Sequence, residues 1–547
     1  MATESATGLL RDGWDALAAA DWELARSCFE RARAEEDSPE ALDGLSQAIH
    51  FQGDYDLAID VKEQAFAAYR GAGDAVAAAD TARWLAFLHG TFHGNFAVAS
   101  GWMSRAESLL ADVDECAAHG WLILDGAVFS RESSEREKCA AAAIAIARRF
   151  GDADLEFDAL ALLGETYVAS GRVAEGMKLL DEAMAAVAGG EVVAHGAVGE
   201  IYCRLLSACE YATDVRRAEE WMALADRYAA WSGFVRPTCR THYGGILIAL
   251  GRWPEAETEL MDALRGFERG YRGDGVFPLV RLADLRVRQG RYEEAERLLE
   301  GVEWHPTARR AAATIALARG DLGLAEELAR LCFEGGDPTD PACAPLLGLL
   351  IEIQLARGAR DAAGATLERL EGLADGSPTA LVRAFAELAA GRMRAADGGE
   401  GAAAHLKHAL EALATLNLPL EAARARLELA RALAPQAADA AVAEARLALG
   451  TFERLGAARD ADGAAALLRE LGAGGRASAR GGGTLTKRET EVLALVAVGL
   501  SNADIAARLY ISRRTAEHHV ASITSKLGLR NRTEAAAYAV RELPQDG

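Results

Sequence analysis

Apolar side chains recur three and four positions apart along nearly the whole chain, and no useful stretch alternates apolar with polar. That period puts one apolar stripe on each of many helices and predicts an all-α protein. A signature punctuates the stripes: a turn residue, a polar residue, a large apolar residue, and Ala three positions further on. It reads Ala20-Asp21-Trp22 with Ala25, Gly53-Asp54-Tyr55 with Ala58, Gly94-Asn95-Phe96 with Ala99, Gly251-Arg252-Trp253 with Ala256, Gly290-Arg291-Tyr292 with Ala295, and Gly320-Asp321-Leu322 with Ala325. Weaker copies begin at Gly171, Asp214, Gly358 and Gly398, and fainter ones lie near Ser134 and Ala437. Most neighbouring markers are 30 to 41 residues apart, the length of one helical hairpin.

The chemistry of the signature fits a hairpin. Its first residue lets the chain turn between two helices, because Gly tolerates positive φ at a helix end. The large side chain then enters the seam, and the Ala on the same face permits close backbone approach. Segments 283–289 and 292–299 add strong helix formers to the period. Residues 1–471 are therefore predicted to be an α-solenoid of about twelve stacked hairpins. The markers resemble the second-helix half of tetratricopeptide repeats, with spacing that drifts and several copies lacking the aromatic residue. Segment 450–463 resembles the last hairpin before the DNA-binding domain of large bacterial regulators.

Residues 472–483 read GAGGRASARGGG, with six glycines and no apolar period. Such a stretch is expected to be a flexible linker spanning roughly 20 Å.

From Thr484 onward the pattern changes to four short helices divided by cap signals. Thr486 and Glu489 form a capping box for the first helix, which ends at Gly499, and Ser501 with Asp504 opens the second. Ser512 caps the third, which stops at Gly528, and Thr533-Glu534 starts the fourth. Helices at about 502–509 and 513–527 are separated only by Tyr510, Ile511 and Ser512, a helix-turn-helix signature covering about 502–521. On the third helix, Ala516, Val520, Ile523 and Leu527 share one face, predicted to pack on Leu493, Ile505, Leu509 and Ile511. The other face presents Arg514, Glu517, His518, Ala521 and Ser525 and would lie in a DNA major groove. Around it stand Arg513, Lys526, Arg530 and Arg532, placed for phosphates.

Charge sharpens this division. The whole chain has 59 Lys+Arg against 82 Asp+Glu, net −23, which on average repels nucleic acid. Residues 484–547 hold 9 basic and 7 acidic residues, so the tail is net +2 and residues 1–483 are net −25.

The tail resembles the LuxR-type (GerE-like) helix-turn-helix domain of bacterial transcription regulators. The matching residues are Leu485, Thr486, Arg488, Glu489, Glu491, Val492, Leu493, Gly499, Ser501, Asn502, Ile505, Ala506, Leu509, Ile511, Ser512, Thr515, His519, Val520, Ile523, Lys526, Leu527, Gly528 and Arg532, at ungapped spacing. The resemblance implies a domain that binds double-stranded DNA as a homodimer, the third helix reading the groove and the fourth supplying the dimer contact. Candidate DNA-binding residues are Ser512, Arg513, Arg514, Thr515, Glu517, His518, Ala521, Ser522, Lys526, Arg530 and Arg532. Ala535, Ala536 and Ala539 suit a close helix contact in the dimer. Where family members often carry basic or β-branched residues, this chain has Ala516, Glu517 and Ala521, which implies an operator unlike the family norm.

Other classes lack support. None of the six lysines sits in Gly-x-x-x-x-Gly-Lys-Ser/Thr, so no nucleotide cofactor is expected. The eight cysteines form no C-x-x-C pair and His518-His519 has no third ligand at helical spacing, so neither metal nor disulfide framework is expected. No nucleophile, base and orienter assemble, so no catalytic residue and no enzyme is expected. With no long apolar run or signal sequence, the chain is expected in the cytoplasm, associated with the nucleoid, without a membrane partner. The architecture predicts a transcriptional regulator whose array senses a protein, peptide or small-molecule effector, with RNA polymerase as a further partner on DNA. The alternative is a protein-interaction scaffold with a degenerate DNA-binding tail.

Overall fold

The computed structural model describes residues 5–542, apart from 129, 131, 233–236, 269–274, 334–339, 377–378, 399–400, 474–484, 486, 510–512, 528 and 530. Among the described residues the regular elements are all helices. From Ala6–Ala18 to Ala438–Leu455 the helices pair in order into twelve tetratricopeptide-like hairpins, and Ala458–Glu470 closes the array. Among the described residues, no helix is long and apolar enough to cross a membrane.

The hairpin signature works through three separate contributions. The turn residue of every strong marker has positive φ, from Ala20 at 58° to Gly53 at 90°. The next residue caps the following helix when it is acidic: Asp21, Asp54 and Asp321 accept from the backbone N–H of Leu24, Leu57 and Leu324 at 3.1, 3.3 and 3.2 Å. Arginine cannot accept, so Arg252 and Arg291 instead reach forward to Glu255 and Glu294, at 2.9 and 2.7 Å. The signature alanines are all buried.

The large residue behaves less uniformly than expected. Trp253 is 1% exposed and its indole N–H donates to the Ile248 carbonyl at 3.1 Å. Phe96 is 59% exposed. Just before it the chain makes a π-helical turn, Leu88–Phe92, whose own Phe92 is buried and stacks on Tyr55 with ring centroids 4.1 Å apart. The two faint markers fall beside hairpin turns without a left-handed residue of their own: Ser134 lies in the first turn of helix Ser133–Phe150, and Ala437, at φ −145°, is the N-cap of helix Ala438–Leu455.

The array curls back on itself twice. At the end of the first curl, the Trp22 indole N–H donates to the Ser232 carbonyl at 2.8 Å, across 210 positions of sequence. His195 Nε2 lies 3.0 Å from the Leu17 carbonyl, so that nitrogen must carry the proton and Nδ1 accepts from the Tyr228 hydroxyl. Burial lowers the His195 pKa, consistent with a neutral ring in that role. In the second curl, Leu247, Ile248 and Trp253 share one core with Leu420, Phe452 and Leu467. Gly251 touches this seam: a Cβ there would lie 2.3 Å from Leu455 and 3.1 Å from Pro419. Four of the eight cysteines are buried and none forms a disulfide.

Candidate nucleic-acid interface

The tail folds as helices Lys487–Ala497, Asn502–Leu509, Arg513–Lys526 and Arg532–Glu542, around a core of its own. Ser501 and Asp504 make the expected reciprocal cap, with Asp504 accepting from the Ser501 N–H at 3.1 Å and Ser501 Oγ accepting from the Asp504 N–H at 3.3 Å. The Ser501 hydroxyl also holds the Asp504 carboxyl below its usual range. The fourth helix starts at Arg532 rather than Thr533, because Asn531 Oδ1 accepts from the Glu534 N–H at 3.0 Å and caps it. The expected caps Thr486 and Ser512, and the turn 510–512, lie outside the described residues.

The third helix is divided by burial. Ala516 and Ile523 are buried, and Val520 and Leu527 half-buried, in one core with Leu493, Ile505 and Leu509. Arg513, Thr515, Glu517 and Ala521 are exposed on the same helix. The backbone of Arg514, His518 and Lys526 belongs to this helix; their side chains, and all of Arg530, lie outside the description. Arg513 Nε meets Glu517 Oε1 at 3.0 Å one turn on, so the exposed face carries an ion pair rather than a bare cation.

Several candidates sit differently from expectation. Ser522 is half-buried, and its hydroxyl donates to Glu489 Oε1 at 2.7 Å. Glu489 is itself buried, so it serves as a carboxylate under the third helix as well as a residue of the first helix's opening turn. Arg532 donates to Asn502 Oδ1 at 2.6 Å and to the Leu500 carbonyl, tying the fourth helix to the start of the second. Ala535 and Ala539 are 1% and 2% exposed, packed with Val492 and Val496 in the domain core, and Ala536 packs partly against it. Their small size serves close approach of the fourth helix to the first within the domain. Arg488, not ranked from sequence, donates to the Leu509 carbonyl at 2.6 Å and pairs with Glu491 at 2.7 Å, holding the second helix to the first. The resemblance marks Arg488 as part of the family pattern, and nothing local in the sequence says which carbonyl it meets.

Array and tail together define a class, a tetratricopeptide-like α-solenoid that carries a helix-turn-helix domain. The family of that domain follows from residues 483–539, which match the bacterial regulatory proteins, luxR family (GerE). The chain is 54% identical over 57 residues to the transcriptional regulatory protein LnrK of Bacillus subtilis, covering 10% of this chain and 26% of LnrK. It is 40% identical over 108 residues to a putative HTH-type transcriptional regulator of Mycobacterium tuberculosis, covering 19% of this chain and 12% of that protein. Those 108 residues exceed the stretch from Thr484 to Gly547, so that similarity runs back into the final helices of the array. The chain thus spans well under two thirds of these relatives. Solved structures similar over 85% of this chain include the APC/C hetero-tetramer Cut9-Hcn1, at TM-score 0.43, 14% identity and 96% of that chain, and yeast Tom70, at 0.31, 13% and 96%.

Proposed function

We propose that the protein is a sequence-specific DNA-binding transcriptional regulator in which the array, residues 1–471, binds an effector or protein partner. It controls the domain at 484–547 through the glycine-rich joint at 472–483. The observation that carries this reading is the third helix of the LuxR-family domain, packed on one side by Ala516 and Ile523 and open on the other at Thr515, Glu517 and Ala521. An exposed helix face of this kind fits a major groove, with Arg514 and His518 at base edges and Arg513, Lys526 and Arg530 near phosphates. Ser522 acts from behind that face by fixing to Glu489 the helix that carries it, and Arg532 by tying the fourth helix to the start of the second. The partners are promoter DNA in the cytoplasm, a second copy of the chain on DNA, and RNA polymerase. Exposed Thr533 and Ala537 mark the side of the fourth helix left for the second copy.

Genome-wide occupancy tests this. The intact protein should occupy discrete promoter sites, and an Arg514→Ala/His518→Ala variant should lose them with the linked transcription. Unchanged transcription in that variant would favour the scaffold over the regulator.

A further inference from the structure

The first curl of the array encloses a chamber of about 420 Å³, within the size range of small-molecule sites. Its walls are unusual in combining aromatic faces with an excess of carboxylates. Trp14, Phe51, Trp84, Phe87 and Trp121 line it and each keeps part of its surface open. Six carboxylates share the lining, while Arg83 is the one guanidinium among the described lining residues.

Arg83 is already committed. It bridges Asp80 and Asp125 at 3.0 and 3.1 Å and lies over the Trp121 ring at 4.8 Å from its centroid. The chamber therefore shows within its own wall how a guanidinium is held there, by an aromatic face below and carboxylates beside it. A second arginine, Arg204, reaches Asp158 at 3.0 Å. Asp125 keeps 29% of its side chain open in a densely walled position, and burial pushes its carboxyl up against the pull of Arg83, with Glu200 adding to the rise. Burial, helped by Glu200 and Asp125, likewise pushes Asp158 up to about 6 against the pull of Arg204. Asp125, Asp158 and Glu200 thus act on one another across the space, and together with Asp80, Asp152 and Asp154 they outnumber Arg83 and Arg204.

We propose that this chamber binds a small organic cation, an amine or guanidine with an apolar body, whose charge sits among Asp125, Asp158 and Glu200 and whose body lies against Trp84 and Trp121. Such a ligand offsets the excess of carboxylates and gains the aromatic faces together, which a neutral or anionic molecule cannot do. It gives a chemical class to the effector in the proposed function and rests on that reading only for its effect on DNA.

The test uses the intact protein in calorimetric titrations with agmatine, spermidine and tryptamine, and with tryptophol and indoleacetate as neutral and anionic controls. At least one cation should bind, at least tenfold tighter than both controls, and raise the thermal midpoint. Glu200→Gln should weaken that binding about tenfold while raising the midpoint of the free protein, since a like charge is removed. Trp121→Leu, which keeps every carboxylate of the lining but removes the indole N–H that donates to Asp152, should weaken it between three- and thirtyfold. Equal binding of cations and controls, or full affinity in both variants, would overturn the assignment. DNA affinity measured on the same samples separates the two ideas: cation binding without change in DNA affinity retains the chamber and removes the control of the domain by this ligand.

Discussion

Asp158 and Asp284 occupy comparable stations on the first helix of their hairpins, Asp158 buried and Asp284 half-buried, each facing an arginine, one in the first curl of the array and one in the second. They titrate in opposite directions. Asp158 rises to about 6 because burial and the neighbouring carboxylates outweigh Arg204. Asp284 is half-buried, and there Arg288 and Arg310 overcome the desolvation and hold it well below the usual carboxylate range. In the second curl, charges are matched inside the chain: Arg288 joins Asp284 to Glu421 at 2.8 Å each, Arg310 meets Asp284 at 3.1 Å, and Arg424 meets Asp460 at 2.8 Å. One repeat architecture has thus produced a curl locked by its own ion pairs and a curl with negative charge to spare. The locked curl is next to the DNA-binding domain in sequence, and the unbalanced one is free to answer to a ligand.

The largest effect should come from unlocking the second curl. Arg288→Leu leaves Glu421 and part of Asp284 buried without a partner and should destabilise the array by about 3 kcal/mol. Glu200→Gln in the first curl should do the reverse. Denaturation curves for the two variants showing the same sign would erase the contrast.

Next in size is the contact that closes the second curl. Gly251→Ala combines a left-handed backbone, at φ +76°, with a 2.3 Å approach to Leu455, and should cost about 2 kcal/mol or more. Gly53→Ala has a similar backbone, φ +90°, and open space, so it should cost only about 1 kcal/mol. Equal thermal shifts would show that the curl's closure adds nothing to stability.

The smallest effect is a pH response confined to one curl. A carboxyl raised by folding, as Asp158 is, contributes stability that is complete below its ordinary value and lost as pH climbs through about 6. Asp284 is depressed, so its contribution is present above the ordinary carboxylate value and unchanged near neutrality. From pH 5 to 7.5, hydrogen-exchange protection, corrected for intrinsic rates, should fall about tenfold in 153–169 and hold in 276–288. Parallel changes in both segments would contradict the assignment.

What could be read from sequence follows the range of the forces. Turn residues, caps and the buried Ala25 or Ala256 act within a few positions, so the hairpins and the four tail helices were legible within a residue or two at the boundaries that are described. Closure of the two curls depends on pairs such as Trp22 with Ser232 and Arg288 with Glu421, more than 130 positions apart, and no local pattern announces them. In the tail, helical spacing correctly divided inner Ala516 and Ile523 from outer Glu517 and Ala521. It could not say which neighbour a small or polar residue meets. Ala535 and Ala539 signalled a close helix contact, and one is found within the domain; Ser522 is engaged behind the helix that was expected to carry it to DNA, and Arg532 is engaged with Asn502 at the start of the second helix.

The most direct measurement of the central claim, that an acidic, double-curled array carries a domain that reads DNA sequence, is selection of bound fragments from random double-stranded DNA by the intact protein. The account predicts enrichment of one discrete motif that disappears in the Arg514→Ala/His518→Ala variant. Recovery of unenriched DNA, or the same motif from that variant, would contradict it.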